Sequence, residues 1–271
     1  MTSASTSPTS ANAGATPGLS TFVPALQRLG LLAFILAIWW IGSLNTPAYV
    51  LPGPLAVAQA VGDLAGTETF LVDIGATLGR VATGFGIALV VGVPLGIIFG
   101  ANRTIGNFFE PLLPILNTVS SAIWAIFAML WFGLSDMATI FVVLMTAMPL
   151  IITNTWQGTR NVSPELVEVA QSLRFGRTAI LRKIYLPSIL PHIFSGSRLA
   201  FAFGWRVSLV AETLGASSGV GYRLRQAADL FQADQVFAWT VLIISMMVAV
   251  EVGIFRPAER YLFRWQKARS V

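Results

Sequence analysis

The sequence predicts an all-α integral membrane protein with about six transmembrane helices, and three observations predict it. Hydrophobic residues make up 55% of the 271-residue chain and charged residues only 11%, with a mean hydropathy of +0.73, a balance foreign to soluble domains. A helix needs ~20 mostly apolar residues to cross a bilayer, and six stretches supply them, near 29–45, 74–100, 109–131, 137–157, 188–212 and 236–257. Their long apolar runs lack the alternation of strands, which argues for helices and against a β-barrel.

Taken in order, residues 1–27 begin with small, polar, nearly uncharged MTSASTSPTSANAGATPGLS, the composition of a disordered tail. Leu29–Leu44 behind Arg28 is long for the apolar core of a signal peptide and reads as an uncleaved first span. The loop to Asp73 carries Leu51-Pro-Gly-Pro54, a rigid turn, with a short interfacial helix expected through Val57 to Leu64. Glycines four apart in the second span, Gly75/Gly79 and Gly92/Gly96/Gly100, place small residues on one stripe and predict close helix packing. Pro111 and Pro114 in the third span allow kinking where protein or a water-filled cavity covers the backbone, so pore lining and plain packing both remain open. Pro149 in the fourth span has a similar, weaker meaning.

Residues 158–187 form a polar island between apolar stretches, with Arg160, Arg174, Arg177, Arg182 and Lys183. Ser163 is the expected N-cap of a first short helix, with Pro164 at its first position and Glu165 and Glu168 in its opening turns. The Phe175–Gly176 step is expected to end it. A second short helix then carries Ile180, Leu181 and Ile184 opposite Arg182 and Lys183, and Pro187 marks entry into the fifth span. Such a segment either lies on anionic lipid or docks a partner.

Charge positions set the topology. With the N-terminus inside, twelve of seventeen basic residues fall on the inner side: Arg28, Arg103, the island's five, and Arg256, Arg260, Arg264, Lys267 and Arg269. The outer segments hold only Arg223 and Arg225, among Asp63, Glu68, Asp73, Asp136, Asp229 and Asp234. This positive-inside pattern predicts cytoplasmic N- and C-termini, and it explains the pI near 10.2 without nucleic acid. Cysteine is absent, which excludes disulfides and thiolate chemistry, and a lone His192 without clustered acids offers no metal site.

Charges inside spans cost ~2.5–3.5 kcal/mol by insertion scales and face a cavity or a partner. Here they are Arg198, Arg206, Glu212 and Glu251, with Arg256 or Arg103 expected to neutralise Glu251. Arg198 and Glu212 lie about 40° apart on the helical wheel and Arg206 about 80° from Arg198, so a polar stripe is possible. Arg206 with Trp124, Trp205, Ser208 and Glu212 makes a candidate lining for an anion path, because the guanidinium fork matches planar oxyanions. The competing reading pairs these charges to hold helices together. Gly215-Ala-Ser-Ser-Gly219 satisfies the nucleophile-elbow pattern, but His192 lies about 30 Å or more along the same helix, so no hydrolase is expected.

Glu168-Val169-Ala170 followed by Ile184-x-Leu186-Pro187 resembles the EAA loop of permease subunits of binding-protein-dependent ABC importers. LPGP at 51–54, Leu78–Arg80 then Gly84, LWFGLSD at 130–136, SGSRLAFAFGW at 195–205, LVAET at 209–213 and GVGY at 219–222 are similar to the nitrate/taurine/sulfonate/bicarbonate branch, over roughly residues 28–265. The resemblance implies a type I importer (MetI-like) fold: a permease domain at 28–265, a coupling loop at 158–187 and a C-terminal tail at 266–271. It further implies an inner-membrane, multi-pass subunit, working as a homodimer with an ABC ATPase dimer that binds the ATP and Mg, and a periplasmic or lipid-anchored binding protein. ATPase coupling would fall on Glu165, Glu168, Ala170, Arg174, Gly176, Arg182, Ile184, Leu186 and Pro187. Neither lysine, Lys183 nor Lys267, sits in a P-loop pattern, so this chain is expected to transport without hydrolysing ATP and to hold no cofactor.

Three departures from the family pattern stand out. Arg174 occupies the loop glycine's place, with Gly176 two residues on, so either the turn has shifted or the ATPase contact is altered. Ser120, Ser121 and Ile126 replace prolines, which predicts a straighter, more polar third span. Val169 replaces an alanine. The rival functional classes are a secondary transporter, which would call for more spans or an inverted repeat, and a membrane-embedded enzyme, against which the lone histidine and the absence of cysteine argue.

Overall fold

The computed structural model describes residues 19–264, and all regular structure in them is helical. Helix α1 (Leu19–Leu44) begins inside the stretch expected as a tail; residues 1–18 and 265–271 lie outside the described residues. The LPGP turn is pinned by the Trp39 indole, which donates to the Pro52 carbonyl at 3.1 Å. It leads into α2 (Pro54–Ala65), with extended Gly53 as cap and Pro54 in the first turn, where proline's missing N–H costs nothing.

Helix α3 (Thr69–Ala101) is one unbroken rod. The expected third span is instead three pieces, α4 (Arg103–Phe109), α5 (Leu112–Thr118) and α6 (Ser121–Phe132). The α4–α5 stretch and α6 meet at 91°, so the prediction of a straighter span is overturned. The bend needs no proline there. Val119 and Ser120 are both extended, and the Ser120 hydroxyl caps the new helix by accepting from the Ala122 N–H, a role serine fills well.

Helix α7 (Asp136–Arg160) packs against α3 on one side and α10 (Leu186–Gly215) on the other. Between α7 and α10 lie α8 (Pro164–Ser172) and α9 (Arg177–Ile180); beyond α10 come α11 (Val220–Asp229), α12 (Ala233–Val250) and α13 (Arg256–Leu262). Helix α12 seats Ala238 on Val57 and Ala60 of α2.

Two widened, π-helical turns share one cause. Leu181–Tyr185 closes with the Leu186 N–H on the Leu181 carbonyl, and Glu251–Phe255 with the Arg256 N–H on the Glu251 carbonyl. Each is followed at once by a proline, Pro187 or Pro257. In a regular helix a proline ring strikes the carbonyl four residues back and removes a hydrogen bond; one extra residue in the turn relieves both. The second island helix is therefore no separate element: α9 runs through its widened turn into α10.

Close approach organises the centre. Gly84, Ala88, Gly92, Gly96 and Gly100 recur every four residues along α3, and these glycines face Val143, Ile151, Thr155 and Thr159 of α7. A Cβ on Gly96 would lie 2.6 Å from Thr155 Cβ and 2.9 Å from the Ile152 carbonyl. The expected packing stripe is thus present, except that Gly75 and Gly79 meet nothing and do not belong to it. The pairs 84/143, 92/151, 96/155 and 100/159 keep a constant offset, so α3 and α7 run parallel. Gly158 on His192, Asn154 on Gly196 and Val143 on Gly204 advance in opposite senses, so α7 and α10 are antiparallel. Parallel α3 and α7 require a return between them, which the bent α4–α6 segment supplies.

By length and apolar character three rods can cross a membrane, α3, α7 and Ala233–Leu262, or four if the bent pair is one crossing. The apolar part of α1, Leu29–Leu44, is shorter, and α10 carries Arg198, Arg206 and Glu212.

Gly96→Ala should destabilise the chain by about 1–3 kcal/mol through overpacking. Gly75→Ala, in open space, should be neutral or stabilise by roughly 0.5–1 kcal/mol. Thermal melts of the two variants in one detergent test the contrast.

Candidate functional site

The island folds as an elbow at one end of the bundle. Ser163 precedes α8 as expected, but its hydroxyl caps no backbone N–H. It donates instead to the Glu165 carboxylate, holding that exposed group below the usual carboxylate pKa. Helix α8 ends at Ser172, earlier than Phe175–Gly176. The Phe175 N–H bonds the Ala170 carbonyl at 3.0 Å and the Arg174 N–H the Gln171 carbonyl at 2.9 Å, the paired bonds of a Schellman stop. Arg174 itself takes the left-handed conformation, φ 57°. The turn has not moved to Gly176; arginine stands where glycine would be unstrained.

Ala170 and Ile180 are buried and anchor the elbow. Outside it are Glu165, Glu168, Gly176 and Arg182, together with Leu186 and Pro187 at the start of α10; Ile184 is half-buried. Val169, Leu173 and Phe175 expose apolar side chains beside them, and Lys183 Nζ lies 5.2 Å from the Phe175 ring centre. Behind α8 a cavity of about 360 Å³ is lined by Arg103, Arg160, Glu168, Gln171 and Tyr185.

At the opposite end a buried polar lock joins four helices. Asp73, Thr77 and Arg80 fall on one face of α3, as spacings of four and three require. Arg80 Nη1 donates to Glu212 Oε1 of α10 and to the Ser218 carbonyl, each at 2.8 Å. Its Nη2 donates to Ser218 Oγ at 2.7 Å and its Nε to Asp136 Oδ1 of α7 at 2.8 Å. Glu212 Oε2 accepts from Thr77 Oγ1 and the Gly221 N–H, both at 2.9 Å. Thr77 Oγ1 accepts from the Val220 N–H at 2.9 Å, while Asp73 accepts from the Gly219 N–H at 2.8 Å and from Arg223 Nε at 2.7 Å. Arg80 is 4% exposed and Glu212 0%. Gly219 has φ 104°, and a Cβ there would lie 2.7 Å from Arg80 Nη1. The serine–glycine string 215–219 thus serves this lock.

The proposed path residues are not brought to one surface. Trp124, Trp205, Ser208 and Glu212 are buried within the subunit, and Ser208 Oγ donates to the Trp205 carbonyl at 2.8 Å. Arg206 alone is exposed, 6.0 Å from the Phe203 ring centre. Arg198 pairs with Glu251 and, at 3.4 Å, with Glu259, so Glu251 is neutralised by Arg198 rather than by Arg256 or Arg103. Among the described residues no acid, histidine or cysteine cluster can hold a metal.

Residues 92–256 match the family model of the binding-protein-dependent transport system inner membrane component. The chain belongs to this family. Among these permeases it is 33% identical over 253 residues to the bicarbonate transport system permease protein CmpB of Synechococcus elongatus, covering 89% of this chain and 88% of the relative. It is 31% identical over 245 residues to SsuC of Bacillus subtilis, named for aliphatic sulfonates transport, covering 90% and 88%. To the taurine transport system permease protein TauC of Escherichia coli it is 26% identical, covering 88% of each. The inward-facing MetNI methionine ABC transporter contains a chain of similar fold, with a TM-score of 0.63 at 17% identity, covering 72% of this chain and 96% of that one.

For this permease the strings that carry the family resemblance converge in space. Arg80, Asp136, Glu212 and Gly219–Gly221 come from four of them, and all meet in the lock. Sequence reading named these strings without a role for Arg80, and treated Asp73, Asp136 and Arg223 only as outer charges. The available signal was the spacing of Asp73, Thr77 and Arg80 on one face of an apolar helix.

Glu212→Ala should cost roughly 3–5 kcal/mol, because Arg80 loses its fully buried carboxylate partner and Thr77 and the Gly221 N–H lose their buried acceptor; denaturant-dependent melting of the full chain measures it. Arg174→Gly should stabilise the elbow by about 1 kcal/mol, read as slower amide exchange across 164–175.

Proposed function

We propose that this permease subunit is driven through its elbow by a separate ABC ATPase dimer and forms a translocation path with a second copy of itself. A binding protein would deliver the solute at the end that carries the lock. The observation that carries this reading is the exposed apolar trio Val169, Leu173 and Phe175 within the polar segment 158–187. Contiguous apolar surface outside the lipid-facing rods marks a protein contact, and lipid anions would select the basic residues instead. Glu165, Glu168, Arg174, Gly176, Arg182 and Ile184 frame that contact, and Leu186–Pro187 connect it to α10.

Charge asymmetry supports an inner-membrane orientation with the elbow and both termini cytoplasmic. ATP and Mg belong to the partner, and this chain is a transport subunit rather than an enzyme. The solute is a small anion: the named relatives handle bicarbonate, aliphatic sulfonates and taurine, which share an oxyanion head. Leu173→Asp should abolish ATPase co-purification and uptake while the chain remains folded, since Leu173 is 64% exposed. Retained ATPase association and uptake in that variant would sink the proposal.

A further inference from the structure

The acids set inside the long helices are engaged, Asp73 by Arg223, Glu212 by Arg80 and Glu251 by Arg198, while Asp234 stands in the first turn of α12 and Glu110 at the α4–α5 junction. Arg206 is left over. Among the described residues it meets no carboxylate, only the Phe203 ring, although it lies deep in α10, about 14 Å from that helix's far end at 1.5 Å per residue. A bare arginine inside a membrane faces water or an anion.

Phe203, whose ring centre lies 6.0 Å from the Arg206 guanidinium, walls a cavity of about 350 Å³ at the 91° break between α5 and α6, and Arg206 itself is not among the lining residues. Val207 adds a second apolar contact, and Asn117, Ser120 and Ser121 supply polar ones. The Asn117 amide and the Ser121 hydroxyl have no hydrogen-bond partner among the described residues. The start of α6, the positive end of its dipole, opens on the same space.

We propose that Arg206 and this cavity form an intramembrane subsite for a small organic oxyanion, a sulfonate or carboxylate with a short apolar body. The guanidinium holds the charged head, Asn117 and Ser121 donate to it, and Phe203 and Val207 cover the body. This rests on the importer reading and adds to it: the permease itself selects for the anionic head.

The test uses the full chain in phosphatidylcholine nanodiscs, with trifluoropropanesulfonate as a fluorine NMR probe and neutral trifluoropropanol as control. Wild type should bind the sulfonate in preference to the alcohol. Arg206→Gln should weaken that binding by roughly tenfold or more, the loss of a charge-assisted hydrogen bond. Arg206→Lys should fall between the two, and Asn117→Leu, on another helix, should weaken it independently. Equal binding by wild type and Arg206→Gln overturns the inference. So does phosphatidylglycerol found by native mass spectrometry on wild type, absent from Arg206→Gln and displacing the probe, because the anion would then be a lipid headgroup. ATPase co-purification is measured alongside. Its persistence with no probe binding overturns only the subsite, whereas its loss in wild type overturns the importer reading.

Discussion

Arg80 and Glu212 come from helices more than a hundred residues apart in sequence and meet where water is scarce. A guanidinium there has five N–H groups to satisfy, and no single acceptor suffices. The chain answers with Glu212, Asp136 and two oxygens of Ser218, so satisfying one side chain fixes the start of α7, the end of α10 and the loop into α11. Glu212 in turn orders Thr77 and the Gly221 amide. With so many partners committed, no member can leave without exposing another unpaired group. The lock therefore sets where the helices must end as well as how they pair.

At the other end the restraint is local. The elbow stands on two backbone bonds, a buried Ala170 and an arginine in a glycine conformation. These are modest interactions, suited to an element that yields when pushed. The two ends of the permease thus differ in kind: one is cross-linked through the interior, the other is hinged at the surface.

Much of this was legible in the sequence. Apolar runs gave the helical membrane class, Gly92/Gly96/Gly100 gave the close approach, and Pro164 with the acids after it gave α8. The misses have physical causes. Gly75 and Gly79 continue the same spacing, yet whether a stripe meets a neighbour depends on where that neighbour ends. The bend at Val119–Ser120 was masked because two serines replaced prolines, and extended backbone needs no proline. The partners of Arg80 come from separate segments, and no local periodicity records a contact across helices. Arg206 was identified as an intramembrane charge, but its isolation from Trp205 and Ser208 follows from the helix face each presents.

The period-four contact between α3 and α7 has a mechanical consequence. Gly84, Gly92, Gly96 and Gly100 of α3 are notches filled by side chains from α7, and the nearest of them lie four residues, about 6 Å, apart. Any smaller slide drives backbone into Val143, Ile151, Thr155 or Thr159 together. The two helices behave as a meshed rack, free to travel as a pair and barred from creeping past each other. If the elbow is driven as proposed, motion entering there would tilt this rack as a unit.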